Sequence, residues 1–427
     1  MESDLSQNKS QFNRWGRTWP LMFFLILGIC NAVSMKVGFI MEGKGLDKWG
    51  YHQFQKPWWI TMMTFAGQAL ATPIYAIMAM KHEQTFRISD LSFKDFCEFS
   101  FPALSDAFEG IVSSVCVVFV GVSIDSMMKS GTLVGVSLIS HFIFKKRFPC
   151  YKWVCILFVV LSLTMVGAAG IINADSSTTI KGSTFVVAII IILKFVSQVG
   201  YSIKISYEEY FSQVKNYHPV MISGIEGIWS TFISAFICMP IAQYMPGDEG
   251  NGIREDTLDT FEMLKNTPSL VVLTIIIVLL GFFYSIVSIT LIGRTSAVVR
   301  TLMEAFRTFL IWMVQFAIFY SLRTSSNQTL YKFRLAGEEW GLGSYVQLVG
   351  FIIMTFSILT YNKIPKYPCI TYENEDETEN ENYRNQYNKN ERSETTCENA
   401  TVNLSPLLQI DTSTTYEKTS EESTLDS

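Results

Sequence analysis

The chain has 427 residues, 49% of them hydrophobic, with a mean hydropathy of +0.26 and a formal net charge of −5. A soluble domain of this size would alternate short apolar runs with charge, so that class is excluded. Eight scattered cysteines form no C-x-x-C pair and four histidines do not cluster, so neither a metal nor a cofactor is expected.

Apolar runs of roughly 20 residues, enough to cross a bilayer core of about 30 Å, recur ten times. They cover 18–40, 58–80, 100–121, 123–144, 151–172, 183–206, 219–245, 269–292, 295–320 and 342–362. The predicted class is an all-α polytopic membrane protein. A polar, basic N-terminus (1–17) precedes the first span without a small-residue cleavage site, so that span reads as a retained helix rather than a signal peptide. Spans 123–144 and 295–320 stand apart because both carry charge. Beyond the last span, residues 371–427 hold 14 acids against 4 bases, a net of −10, which leaves the first 370 residues at +5. Rich in Asn, Glu, Ser and Thr, this tail has too little apolar surface to offset its ordering entropy and is expected to be disordered.

An even number of spans puts both termini on one side. Lys9, Arg14 and Arg17 flank the first span, and Lys145, Lys146, Arg147 and Lys152 fill the turn after the fourth. The loop at 246–268 is acidic, with Asp248, Glu249, Glu255, Asp256, Asp259 and Glu262. The excess of base on cytosolic loops then predicts cytosolic termini, although Lys44, Lys48 and Lys56 in the first outer loop run against the trend.

Ionisable residues inside the spans are functional candidates. The first span has Asn31, Ser34 and Lys36, the third Asp106 and Glu109, and the fourth Asp125 and Lys129. The sixth has Lys194, the seventh Glu226, and the ninth Arg300, Glu304 and Arg307. Five bases face five acids, which matters because an unpaired buried charge costs far more than a paired one. Asp125 with Lys129 and Arg300 with Glu304 are spaced i,i+4; Glu304 with Arg307 and Asp106 with Glu109 are spaced i,i+3. Such pairs can simply lock helices together, and Lys36 can snorkel from a helix end. A cluster this dense nevertheless favours a polar cavity, because hydrocarbon cannot solvate its free edges.

The segments IDSMMKSGTL (124–133) and SAVVRTLMEA (296–305) align Lys129 with Arg300, each followed by a hydroxyl residue. Each opens the fourth span of a five-span half. Because five is odd, the two halves insert with opposite orientation, which is an inverted repeat with its site near the midplane.

Motifs spread over roughly 15–365 resemble the drug/metabolite transporter superfamily, and within it the solute carrier 35 group, F subfamily. They are NAVSMK in the first span, FQKPWW and GQ around the second, and PALSDA in the third. MMKSGTLVGVSLISHFIFKKRF in the fourth, NYHPVMISGIEG opening the seventh and SAVVRTLMEAFRTFLIWMV in the ninth complete the set. The resemblance implies ten helices as two inverted five-helix repeats (18–172 and 183–362) working by alternating access. It also implies a cavity base at Lys129, where relatives often carry arginine, and places Arg300, Glu304, Arg307, Asp106, Glu226, Asn31 and Lys36 on family positions. Nucleotide-sugar members usually carry more lysines in the fourth span than the one present here.

The expected role is secondary transport of a small organic, anionic or zwitterionic solute. Lys129 and Arg300 would hold its negative group, with Arg307, Asp106, Glu109, Glu304, Asn31 and Lys36 around the site. Asp125, Lys194 and Glu226 are expected to be structural or coupling residues. Protons or a counter-substrate are possible partners besides lipid, and no nucleic acid is expected. Export of cationic drugs, amino acids or peptides from an acidic vacuole is the alternative, as in the chloroquine-resistance branch; a non-transporting scaffold is another. An enzyme is not expected, and no G-x-x-x-x-G-K-[ST] loop points to ATP drive. Tyr367–Ile370 has the form of an endolysosomal sorting signal, which favours an internal membrane (lysosome or vacuole, Golgi or ER). Of the sequons at Asn8, Asn327, Asn399 and Asn403, only Asn327 is expected on the lumenal side.

Overall fold

The structure is a computed structural model that describes residues 2–81, 91–142, 149–176, 184–245, 249, 254–295, 297–323, 333–334 and 337–361. The chain divides into the units Met1–Tyr367 and Pro368–Ser427, and the second, with most of the acidic tail, lies outside the described residues. So do the Asn327 sequon, the Tyr367 motif and the base cluster Lys145–Arg147.

Nine helices among the described residues are long and apolar enough to cross a membrane, from Trp19–Ile40 to Leu342–Tyr361. Helix α1 (Glu2–Ile40) carries the first span. After a short ribbon of β1 (Glu42–Lys44) and β2 (Tyr51–Gln53), paired antiparallel, α2 (Pro57–Ala69) and α3 (Ala71–Lys81) make the second. Helices α4 (Phe93–Glu98) and α5 (Ser100–Phe119) make the third. The fifth is α8 (Cys150–Ser176). The sixth is α9 (Thr184–Glu209), continued by a π turn, Tyr210–Val214. Helices α10 (Pro219–Ile233) and α11 (Met239–Tyr244) flank a second π turn in the seventh. After α12 (Thr257–Asn266), the eighth and ninth are α13 (Pro268–Arg294) and α14 (Ala297–Leu322), and the tenth is α15 (Leu342–Tyr361). Helices α2, α10 and α13 each have a proline in the first turn, where its missing N–H costs nothing and its fixed φ suits the helix.

The fourth predicted span is helical but not continuous. It consists of α6 (Val122–Met128), a 3₁₀ turn at Lys129–Gly131, and α7 (Thr132–Phe142). Gly121, at φ +104°, supplies the sharp bend into α6 that a residue with a Cβ would resist. At the break, Thr132 donates its hydroxyl to the Lys129 carbonyl at 2.7 Å, and Gly131 weakens the helical ladder. The lysine therefore stands where the helix changes pitch.

The packing has a pattern. Helix α5 lies on α9 and α1 on α13; α2 lies on α13 and α10 on α5; α7 lies on α9 and α1 on α14. Helices α2 and α10 also meet, as do α8 and α15, and α14 packs on the broken fourth span. Exchanging each span with the one five further along the chain maps these pairs onto one another. Helices α2 and α13 approach closely. A Cβ on Gly67 would strike the carbonyl of Val278, and one on Gly281 would meet the Thr64 carbonyl oxygen at 2.5 Å. Glycine at both positions lets the two backbones touch.

Two clusters tie together the loops at one end of the bundle. An apolar cluster draws Phe39, Phe54, Trp58, Trp59, Met263 and Leu270 from the ends of the first, second and eighth spans and their loops. Above it, Lys56 is fully buried and ion-paired to Glu249 and, at 2.7 Å, to Asp259. Asp259 also takes the N–H of Leu46 at 2.8 Å and the ring of His52 at 3.1 Å. Glu255 accepts the backbone N–H groups of Trp58 and Trp59, both at 2.9 Å, and so caps α2 from a loop nearly 200 residues away. The acidic loop predicted at 246–268 is thus bound to the first loop, including the lysine that ran against the charge trend.

Candidate functional site

Seven spans enclose a cavity of about 770 Å³, its open mouth included. The first span contributes Asn31 and the second Thr61 and Gln68. The third contributes Asp106, Glu109 and Ser113, and the break in the fourth contributes Lys129. The sixth adds Tyr201, Lys204 and Glu208, the eighth Tyr284 and Ser288, and the ninth Arg300, Glu304 and Arg307.

The charges are sorted into groups. Lys194, wholly buried behind the wall, bonds Glu109 Oε1 at 2.7 Å and lies 2.8 Å from Asp125 Oδ1. Ser113 donates to the Asp125 carboxylate at 2.9 Å, and Gln198 to Glu109 at 3.1 Å. Lys129 stands further off, 3.7 Å from Asp125 and 3.9 Å from Glu109, with a quarter of its side chain exposed. Lys204 bridges Asp106 at 2.6 Å and Glu208 at 3.3 Å. Arg307 is ion-paired to Glu304, donates to the Tyr284 hydroxyl at 2.6 Å and lies over the Tyr284 ring. Its path passes so close to Gly28 that any Cβ there would collide with it.

Arg300 differs from the other bases. It donates to Ser288 Oγ at 2.8 Å and to the Tyr201 hydroxyl at 2.9 Å, and its guanidinium lies over the Tyr201 ring. Among the described residues no carboxylate lies within ion-pair distance of it, although its side chain is buried. A buried guanidinium held only by neutral groups can take a carboxylate or phosphate oxygen without first breaking a salt bridge.

Of the eight residues predicted to bind solute, the structure brings seven to this cavity. The eighth, Lys36, reaches Gln315 Oε1 at 3.0 Å and the Gly337 carbonyl at 3.3 Å. Asp125 and Lys194 sit behind the wall, as does Glu226, whose two oxygens have no hydrogen-bond donor. The helical spacing finds some partners, since Lys129 pairs with Asp125 at 3.7 Å and Arg307 with Glu304, and misses others. Arg300 does not pair with Glu304, and Lys194 rather than Lys129 is the near partner of Asp125. Sequence reasoning missed Lys204, Glu208, Tyr201 and Tyr284. Lys204 lies inside the predicted sixth span and was findable as an intramembrane base; Glu208 lies two residues past its predicted end, where the helix in fact continues.

Away from the cavity, ligand atoms of His52, Glu249 and Asp259 come within 4.8 Å of one another. The Lys56 ammonium bonds both carboxylates and fills the place a cation would take.

No protein-family model matches the chain. Solute carrier family 35 member F6 of Rattus norvegicus is 23% identical over 360 residues, covering 81% of this chain and 89% of its own length. The Homo sapiens protein of that name is 23% identical over 346 residues, 79% of this chain and 86% of its own. An uncharacterised protein of Schizosaccharomyces pombe is 23% identical over 271 residues, 62% and 74% of the two chains. A solved crystal structure aligns over 82% of this chain at 10% identity, but its TM-score of 0.44 carries no argument. With most of its length matched in these relatives, the chain is similar to members of the solute carrier 35 family, F subfamily.

Proposed function

We propose that the chain is a secondary transporter of a small organic anion or zwitterion, working by alternating access in an internal membrane with both termini cytosolic. Arg300 carries the reading: it is a buried base lining a seven-span cavity with no carboxylate partner among the described residues. Lys129, long in its contacts and partly exposed, is the second base open to a solute. The names of the relatives support transport, and the spans supply the membrane frame. The exchange of helix contacts between spans five apart supports ten spans in two inverted halves. In that arrangement Lys129 and Arg300 occupy equivalent places, one in each half.

Cation export has one observation in its favour. Glu208 and Glu304 each line the cavity with a second carboxylate oxygen that has no hydrogen-bond partner. Uptake of a panel of anions, zwitterions and cations into proteoliposomes decides between the readings. Uptake of anions or zwitterions that is lost in Arg300→Ala supports ours, and uptake of cations alone overturns it.

A further inference from the structure

The cavity has two poles of opposite charge that do not meet. Lys129 and Lys194 stand against Glu109 and Asp125, and Arg307 against Glu304, so these two groups are balanced. Asp106 and Glu208 share the single ammonium of Lys204 and leave one negative charge over. Arg300, held by Ser288 and Tyr201 with no carboxylate within ion-pair distance among the described residues, leaves one positive charge over. Outside the cavity lining, Glu226 on α10 and Lys36 on α1 cancel in the sum.

Both poles lie beside one ring. The Arg300 guanidinium carbon is 5.6 Å from the centroid of Tyr201, and the Lys204 ammonium is 5.5 Å from the same centroid. Tyr201, Lys204 and Glu208 follow one another at i, i+3 and i+7 along a single face of α9. Each pole also has bonding capacity to spare among the described residues. Arg300 spends Nε on Ser288 and one N–H of Nη2 on Tyr201, which leaves Nη1 and the other N–H of Nη2 for a planar oxyanion. Glu208 meets Lys204 through Oε1, and its Oε2 has no donor.

Net charge decides between solutes. An anion on Arg300 leaves the group around Lys204 with its negative charge and adds net charge to the membrane interior; a cation at Glu208 leaves Arg300 in the same position. A molecule that carries both charges compensates both poles and adds nothing to the sum. We propose that the cavity takes a small zwitterion of the amino-acid class, its carboxylate on Arg300 and its ammonium on Glu208. This narrows the transporter reading and rests on it. Tyr201, bonded to the guanidinium at 2.9 Å, fixes where the carboxylate end sits.

Ligand-induced thermal stabilisation of the full-length protein in detergent tests the assignment without transport. The probes are amino acids with uncharged side chains and γ-aminobutyrate, each beside its des-amino carboxylate and its decarboxylated amine. In the wild type at least one amino acid should bind, about tenfold or more tighter than either of its single-charge analogues, as expected when one charge-assisted contact is lost. Arg300→Ala should bring that amino acid down to the affinity of its amine, and Glu208→Gln to that of its des-amino acid. Where a variant does not fold, the wild-type comparison decides alone. The proposal is overturned if no amino acid binds, if a single-charge analogue binds as tightly as its parent, or if the preference survives unchanged in both variants. Uptake of des-amino carboxylates that is lost in Arg300→Ala would sink the zwitterion and keep the transporter reading. An amino acid that binds in the expected pattern but is not carried into proteoliposomes would do the reverse.

Discussion

Lys194 lies 2.8 Å from Asp125, while Lys129, one turn along from that aspartate on the same segment, stays 3.7 Å away. The buried lysine from the sixth span shares, at closer range, the partner that sequence spacing offers to Lys129. The two lysines should therefore respond differently to removal. Lys194→Met leaves Glu109 and Asp125 buried without their near base, a loss on the order of 3–5 kcal/mol. We expect it to fail to accumulate as a monodisperse species in fluorescence-detected size exclusion. Lys129→Ala should give near-normal protein and strongly reduced uptake of the solute that the panel identifies. Normal uptake combined with degradation of Lys129→Ala would make Lys129 a structural lock.

Arg300→Ala should be as damaging to uptake as Lys129→Ala, again with protein levels near normal. Its partners Ser288 and Tyr201 are neutral and can hydrogen-bond to water in the vacated space. Arg300→Lys should recover little, because one ammonium cannot reproduce the guanidinium's planar contacts to Ser288 and Tyr201. At position 129 the opposite holds: no planar contact is made there, so Lys129→Arg should retain part of the activity. Equal rescue at both positions in uptake assays would argue against the distinction.

Glycines at helix contacts offer a test of the fold itself. A Cβ on Gly67 meets backbone of α13, which has no flexible end to swing aside. Gly67→Ala should lower thermal stability in detergent by about 1–3 kcal/mol, the usual cost of overpacking. A methyl added at Gly200, within α9, would meet nothing within 4 Å, so Gly200→Ala should be neutral or stabilising by up to about 1 kcal/mol. A Gly67→Ala protein as stable as the wild type would mean that α2 and α13 do not pack this closely.

Nine of the ten predicted spans were legible among the described residues because long apolar runs have few alternatives in a chain of this composition. The cavity was legible in part because intramembrane charge is costly enough to be conspicuous, and seven of the eight predicted residues face one space. Partner choice was legible only within a helix, as for Asp125 with Lys129 and Glu304 with Arg307. It depends on which helices touch, and i,i+4 spacing describes only one helix at a time; hence the nearer Lys194 of Asp125 was missed and Arg300 was matched with Glu304. Glu208 was missed because hydropathy fades before the helix does, as α9 runs on into a π turn. The break at Lys129 left no hydropathy signal either, since 3₁₀ and α turns bury the same residues. The ribbon and α12 were read only as a charged loop, because their order comes from one buried lysine and two distant carboxylates.

That loop cluster predicts how stability varies with pH. Burial pushes Asp259 upward, but the bonds from His52, Lys56 and the Leu46 N–H, with the charge of Lys56, outweigh it and hold the carboxyl at about 2. An unfolded aspartate titrates near 3.9. The depressed value gives stability that is complete above about 3.9 and is lost as pH falls through about 2. Glu255 behaves in the reverse sense. Burial pushes it up to about 8, against the pull of Lys56 and the N–H groups of Trp58 and Trp59. Unfolded glutamate titrates near 4.3, so between about 4.3 and about 8 the folded chain binds this proton more tightly than the unfolded one. Its contribution is therefore greatest at low pH, declines as pH rises across that interval, and is flat beyond it. Thermal unfolding in detergent should show an acid limb from Asp259 and a gradual alkaline decline from Glu255. Glu255→Gln should flatten the alkaline decline, because its amide oxygen still accepts from the α2 N-terminus and has no proton to lose. Asp259→Asn should remove the acid limb but lower stability near neutrality, since Lys56 is then left with Glu249 as its only charged partner of the two. An alkaline decline of unchanged slope in Glu255→Gln would show that the carboxyl capping α2 does not titrate there.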